Sequence, residues 1–273
     1  MKHLLTLLFL LWTAQIYSQE PLDSAFLAEK EDSISSLYIK PIRKPEKLLR
    51  RIISRIQMDM KQKHEVCRYQ VETTFSQGTL APFFASMLIS AEAGVGLEKV
   101  RQDAFRYDGP YTLEEQDTMQ IKAFLIQFAT LSPVHAHKAY WNNYLAWTPL
   151  SNAKETIERY NITADSIADA KGRSVLRLRF ASKKKRREDF DWEYYFGEIT
   201  GTAYLDSRSL RLLRFNGEAF LPSLRYETRL RYQVTYEQGG TWPVVKSIVI
   251  DGTKDDMVLK ATVLKEGTTN SNP

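Results

Sequence analysis

The segment 224–237 constrains the fold more than any other part of the chain, because its apolar and polar side chains alternate. One set consists of apolar residues and a threonine: Leu224, Tyr226, Thr228, Leu230, Tyr232, Val234 and Tyr236. The other set is polar throughout: Arg225, Glu227, Arg229, Arg231, Gln233, Thr235 and Glu237. Successive side chains of a strand point to opposite faces of its sheet, so this period of two predicts a strand with one buried face. A single buried face is typical of antiparallel sheets.

The same period recurs along the chain between turn signals, and two other segments have helical spacing. Strands are predicted at 64–75, 83–99, 176–180, 200–205, 210–215, 242–250 and 257–264. Apolar residues three and four apart predict helices at 45–63 and 113–129. The predicted fold class is therefore α+β, with a curved antiparallel meander sheet, or half-open barrel, packed on a few helices. A curved sheet over helices leaves a groove, where apolar ligands usually bind.

The first eighteen residues have the three parts of a secretory signal peptide. Lys2 begins a short basic start, Leu4 to Trp12 form an apolar core, and small or polar residues lead to Ser18. The core has about half of the ~20 residues that a spanning helix needs. We expect cleavage after Ser18 and a mature protein in the periplasm or outside the cell. The residue after the cleavage point is Gln19 and not cysteine, so a lipid-modified N-terminus is not expected.

The remaining chain divides into a short lead-in, one domain and a tail. Residues 19–44 are polar and end in two prolines, which predicts an extended lead-in. Residues 45–265 form a single α+β domain, and 266–273 are expected to be a disordered tail. The net charge of the full sequence is +5, and its basic clusters lie next to acidic ones, so nucleic acid is not an expected partner. No other segment is apolar over the length of a membrane span.

No combination of residues in the sequence predicts a reaction. The single cysteine, Cys67, lies in an alternating strand pattern and is expected to be a buried apolar side chain. His135 and His137 have a spacing that could bind a metal on a strand, but no acidic or cysteine ligand lies near them, and Pro133 favours a loop. The sequence has no glycine-rich phosphate loop and no nucleophile elbow. We therefore predict neither catalysis, nor a cofactor, nor a metal site.

Several short segments resemble a family of exported proteins. Gly197–Asp206 and Leu210–Arg214 resemble the G-x-x-Y-I-D and I-x-x strand pair of Bacteroidota proteins with a carboxypeptidase-like regulatory domain. Ile39–Pro41, Pro45–Ile52 and Gly172–Phe180 resemble the segments that surround this pair in such proteins. The regulatory domain itself is not expected in residues 19–44, because this segment is too short to form it. The same strand pair resembles the lipoprotein-carrier (LolA/LolB-like) fold, a half-open antiparallel barrel over helices that holds acyl chains.

Two functions remain open from the sequence. The first is binding of a hydrophobic, lipid-like ligand in a groove of the curved sheet, for which the candidate residues are Tyr226, Leu230, Tyr232, Tyr236, Trp141 and Trp192. The alternative is a non-catalytic envelope module that binds a protein or a glycan through its aromatic patches. Trp141 and Trp192 lie in the two densest aromatic stretches, and exposed aromatic rings stack on sugars or anchor partner proteins.

Overall fold

The protein is an antiparallel sheet with helices, seen in a computed structural model that describes most of the chain. The described residues are 40–59, 66–92, 100–130, 148–150, 152–168, 173–183, 197–220, 229–237, 244–253 and 257–269. The helices in these ranges are α1 (Pro45–Asp59), α2 (Glu115–Thr130) and α3 (Ala153–Arg159). The strands are β1 (Lys40–Pro41), β2 (Val66–Gln77), β3 (Leu80–Glu92), β4 (Arg101–Asp108), β5 (Tyr160–Ala168), β6 (Ser174–Ser182), β7 (Gly197–Asp206), β8 (Leu212–Phe220), β9 (Arg229–Tyr236), β10 (Val245–Asp251) and β11 (Met257–Thr269).

All eleven strands belong to one open, curved sheet in the order β1-β5-β6-β7-β8-β9-β10-β11-β2-β3-β4. Every pairing is antiparallel, and β5 to β11 follow one another as a meander. The meander then continues into β2, β3 and β4 through a long β11–β2 pairing, in which Val263 lies opposite Val71. The fold class predicted from the sequence, α+β with an antiparallel sheet over a few helices, is therefore confirmed.

The two faces of the sheet differ in composition as the alternation predicts. One continuous apolar core joins buried side chains of β2, β3 and β5 to β11 with those of α1 and α2, and we call the face that it covers the inner face. On β2 the buried side chains are every second residue, from Cys67 through Val71 to Phe75. On β9 they are Leu230, Tyr232, Val234 and Tyr236. Among the residues that the structure describes, the opposite, outer face has one small separate apolar cluster around Tyr204.

The starts of α1 and α3, and the buried face of α1, follow from the local sequence. Proline is well suited to the first turn of a helix, and α1 begins at Pro45. Its buried face consists of Leu49, Ile52, Ile53 and Ile56, which are three or four residues apart. The N-cap of α3 is Asn152, whose side chain accepts hydrogen bonds from the backbone N–H groups of Lys154 and Glu155.

Some element boundaries differ from those expected. The last strand was expected to end at Leu264 and a disordered tail to begin at residue 266, whereas β11 continues to Thr269. The reason is that β2 is long enough to offer pairing partners to Gly267, Thr268 and Thr269. At the other end of the sheet, the lead-in joins β5 through β1, where Lys40 lies opposite Ser166. Among the described helices, none has both the length and the apolar character needed to cross a bilayer.

Candidate functional site

A row of aromatic rings crosses the inner face of β5 to β9. Tyr160, Phe180, Phe215 and Tyr232 lie in sequence along it, with ring centroids 6.2, 6.3 and 5.9 Å apart. The last pair is stacked, with an interplanar angle of 23°. Contacts of this kind stabilise a core by about 0.5–1.5 kcal/mol beyond the burial of their area. The row gives the middle of the inner face a continuous set of aromatic contacts, which change from edge-to-face at Tyr160 to stacked at Tyr232.

Two glycines make this row possible. Gly201 on β7 lies opposite Phe180 on one side and Gly217 on the other, so the rings of Phe180 and Phe215 can meet across β7. A Cβ atom on Gly217 would lie 2.5 Å from Cε1 of Phe215 and 2.7 Å from Cζ of Tyr232. Carbon atoms prefer separations of about 3.5–4.0 Å. The rings therefore lie directly on the glycine backbone, which serves as the floor of the row.

Two tyrosine hydroxyls lie within this apolar face. Burial raises the pKa of Tyr232 well above its ordinary value, and the nearby Tyr160, Tyr236 and Glu218 raise it further. Burial likewise raises the pKa of Tyr236, which a hydrogen bond with Thr148 only partly offsets. Both hydroxyls are thus neutral at physiological pH. They are polar groups that can donate or accept hydrogen bonds without bringing charge into the core.

The helices that cover the inner face are attached at its two ends. Among the described elements, the main helix–strand contacts of α1 and α3 are with β5, and these two helices also contact each other. The main contacts of α2 are with β2, β3 and β11. On that side Phe124 of α2 meets Phe75 of β2 edge to face, at 6.3 Å between centroids. The helices in the described part of the chain therefore form two groups, and the central strands β6 to β10 lie between the strands to which these groups are attached.

A half-buried ion pair lies where β9 ends, between a buried lysine and a glutamate whose side chain is 36% exposed. Nζ of Lys265, on β11, is 2.8 Å from Oε2 of Glu237, and the lysine side chain is only 8% exposed. Lys265 lies opposite Tyr69 in register, and the Tyr69 hydroxyl crosses β11 to donate to the Val245 carbonyl on β10 at 3.0 Å. This end of β9 is polar, whereas the middle of the inner face is apolar.

The structure places three of the six predicted ligand-binding residues together. Leu230, Tyr232 and Tyr236 lie on the inner face of β9 and are all buried. Tyr226, Trp141 and Trp192 lie outside the described residues, as do His135 and His137. Sequence reasoning missed Phe180, Phe215 and the two glycines, although a glycine in each of two consecutive strands indicates close approach of a neighbouring group. Within the described ranges, no group of three or more His, Cys, Asp or Glu side chains could hold a metal ion.

Comparisons with known proteins identify no close relative. No protein-family model matches the chain. No curated protein matches it. Solved structures with a similar chain path include a LolA superfamily protein from Nitrosomonas europaea, with TM-score 0.37, 9% identity, and coverage of 82% of this chain and 94% of that one. A DUF1329 family protein from Desulfovibrio piger has TM-score 0.36 and 9% identity, over 83% of this chain and 93% of that one. An outer membrane lipoprotein-sorting protein domain from Vibrio parahaemolyticus has TM-score 0.33 and 9% identity, over 84% of this chain and 92% of that one.

Proposed function

We propose that this chain is an exported envelope protein that binds a hydrophobic, lipid-like ligand between the inner face of its sheet and its helices. The observation that carries the proposal is the divided cover. One helical group is attached to β5, the other to β2, β3 and β11, and Phe180, Phe215 and Tyr232 of the aromatic row lie on strands between them. Parting the two groups would uncover an apolar surface without breaking the sheet.

An acyl chain is the ligand that this surface suits best. Each buried methylene gains about 0.8 kcal/mol, so a chain of several methylenes can offset the loss of some helix–sheet contacts. The hydroxyls of Tyr232 and Tyr236 are neutral, so they bring no charge into the surface that an acyl chain would contact. Leu230 and Val234, on the same face of β9, are the aliphatic side chains that such a chain would contact.

The ligand is tested first by native purification from the envelope fraction, followed by extraction into organic solvent and mass spectrometry. Stoichiometric co-purifying lipid supports the proposal. Protein that is free of lipid and also fails to take up oleate contradicts it, and would favour the alternative of an interaction module without a ligand. N-terminal sequencing of the same material tests export, for which the expected first residue is Gln19.

The position of the ligand is tested by nuclear Overhauser effects between unlabelled oleate and methyl groups of the ¹³C-labelled protein. Val234 and Val249 form a matched pair, since Val234 is buried on the inner face and Val249 is 50% exposed on the outer face of the neighbouring strand. We expect contacts from oleate to Val234 and none to Val249. The reverse result would show adsorption to the surface.

A control variant removes the exposed apolar side chains of the outer face. Val249→Ser combined with Leu264→Ser replaces two side chains that are 50% and 53% exposed. Uptake of oleate should be unchanged in this variant. If uptake is lost, oleate binds to the outer face and the inner-face proposal is wrong.

A further inference from the structure

The outer face of β5 to β8 carries a row of charged and aromatic side chains. Asp165, Arg177, Tyr204 and Arg214 lie opposite one another in register on four consecutive strands. Because strands are about 4.8 Å apart, such a row is continuous from side chain to side chain. It crosses the solvent side of the same strands whose inner side carries the aromatic row.

One carboxylate in this row holds two arginines. Nε and Nη2 of Arg177 donate to Oδ1 and Oδ2 of Asp165 at 2.9 and 3.1 Å, and Nη1 of Arg179 donates to Oδ2 at 2.9 Å. Burial opposes the ionisation of Asp165, but the hydrogen bonds from both arginines outweigh it, so the pKa of this carboxyl is lowered. The Asp165 carboxylate thus positions the guanidinium groups of both Arg177 and Arg179. The Arg179 side chain remains 42% exposed to solvent.

The next arginine is positioned by an aromatic ring. The Arg214 guanidinium lies over the Tyr204 ring, 4.4 Å from its centroid. Tyr204 itself is buried under this contact, in the small outer cluster with Ile167 and Val175. Stacking holds the guanidinium by one flat side and leaves the N–H groups at its edge available, the arrangement in which arginine binds carboxylates in two-point fashion.

The surrounding side chains complete a surface of mixed character. Arg231 and Glu218 lie opposite each other on the neighbouring strands, 3.6 Å apart. In and beside the row, three arginines, at 177, 179 and 214, lie near one carboxylate, at 165. Beyond it, Asp206, Glu218 and Asp251 lie on the same face with Arg231 and Lys260, so the excess of positive charge is at the row itself. Two exposed aliphatic side chains, Val249 and Leu264, lie on the same face in β10 and β11. Positive charge next to exposed apolar side chains calls for a partner that is both acidic and apolar.

We propose that the outer face of β5 to β11 is a docking surface for an acidic segment of a partner protein. Arginine and aromatic side chains held rigidly beside aliphatic ones are typical of the energetically important parts of protein interfaces. A lipid surface is contacted best by long basic side chains that project freely, whereas Arg177 and Arg214 are held down on Asp165 and Tyr204. This inference does not depend on a ligand at the inner face.

The test measures fluorescence anisotropy of a labelled peptide of alternating glutamate and valine on the full mature protein. We expect Arg179→Ala with Arg214→Ala to bind it about tenfold more weakly than the unaltered protein, because two charge-assisted contacts are lost. The matched control is Arg50→Ala with Arg51→Ala, which removes the same charge from exposed positions of α1. This control should bind as the unaltered protein does.

Three results would overturn the proposal. Equal loss in the two double variants would show attraction by net charge alone. Equal binding of a peptide of alternating lysine and valine would show that the charge of the partner does not matter. Binding of phosphatidylglycerol vesicles, with no binding of the acidic peptide, would make the face a membrane contact. If Arg214→Ala does not fold, Arg179→Ala alone serves, with an expected loss of about threefold because its side chain is partly exposed.

Discussion

Replacing Gly217 with alanine is expected to destabilise the domain by disturbing the aromatic row. The added Cβ atom would lie 2.5 Å from Cε1 of Phe215 and 2.7 Å from both Cζ and Oη of Tyr232. These separations are about 1 Å shorter than carbon atoms tolerate without repulsion. To relieve this overlap, the rings of Phe215 and Tyr232 must both move away from residue 217.

Neither ring has free space into which to move. Phe215 is completely buried and also packs against Phe180, at 6.3 Å between centroids. Tyr232 is buried on the inner face of β9 and stacks on Phe215. Inserting one methyl group into such a packed core costs about 1–3 kcal/mol, and contact with two rings places Gly217→Ala at about 2–3 kcal/mol. For a domain of this size that loss lowers Tm by roughly 4–12 °C.

The control is the same substitution at Gly267 on β11, where an added Cβ meets nothing within 4 Å. Gly267→Ala should stabilise by about 0.5 kcal/mol, because alanine restricts the unfolded chain more than glycine does. Melting curves followed by circular dichroism measure both variants against the unaltered protein. Equal Tm values for the two variants, or a higher Tm for Gly217→Ala, would refute the close packing of rings on the glycine floor.

Three further predictions concern the faces of the sheet and its titrating groups. Leu230→Asp should abolish folding, because a buried unpaired carboxylate costs several kcal/mol, whereas Val249→Asp on the exposed outer face should change Tm little; similar Tm shifts would contradict the assigned faces. Asp165→Asn should destabilise by about 2 kcal/mol at neutral pH. Folding lowers the pKa of Asp165, so its ionised carboxylate stabilises the folded state at pH values above its unfolded-state pKa. This stabilisation is lost as the pH falls through the folded-state pKa. The urea midpoints of the variant and the unaltered protein should therefore converge in acid. Burial raises the pKa values of Tyr232 and Tyr236, so their contribution to stability is fully present below the unfolded-state pKa of about 10 and decreases as the pH rises above it. The tyrosinate absorbance of these two residues should therefore appear only when the protein unfolds.

The sequence predicts faces of strands well because alternation is a local property. The buried and exposed sides of β2 and β9 follow directly from it, and the α1 face of Leu49 and Ile52 follows from helical spacing. In β5 the pattern is obscured, because Ala164 and Asp165 are adjacent and both buried, on opposite faces. Only the arginines of β6 make burial of that aspartate tolerable, and no local pattern announces them.

Strand order is not a local property, and the sequence predicts it poorly. A hairpin signal joins neighbours in the chain, but β11 pairs with β2, whose residues lie almost the whole domain away. The pairing between Leu259 and Phe75 depends on apolar side chains of both ends meeting over the same helix, α2. β4 is also hard to predict, because its apolar side is only the two half-buried residues Phe105 and Tyr107, and its register with β3 shifts between Ser86 and Leu88.

The two proposed binding surfaces are linked by adjacent residues of the same strands. On β6, Arg179 lies on the outer face and Phe180 on the inner one, and on β8 the same holds for Arg214 and Phe215. The backbone of these strands therefore positions the outer arginines and the inner aromatic row together. A ligand that shifted the backbone of β8 at Phe215 would also shift the neighbouring Arg214, which lies over the Tyr204 ring. Such a backbone shift would reach the outer face through a single peptide unit and not through a distant loop.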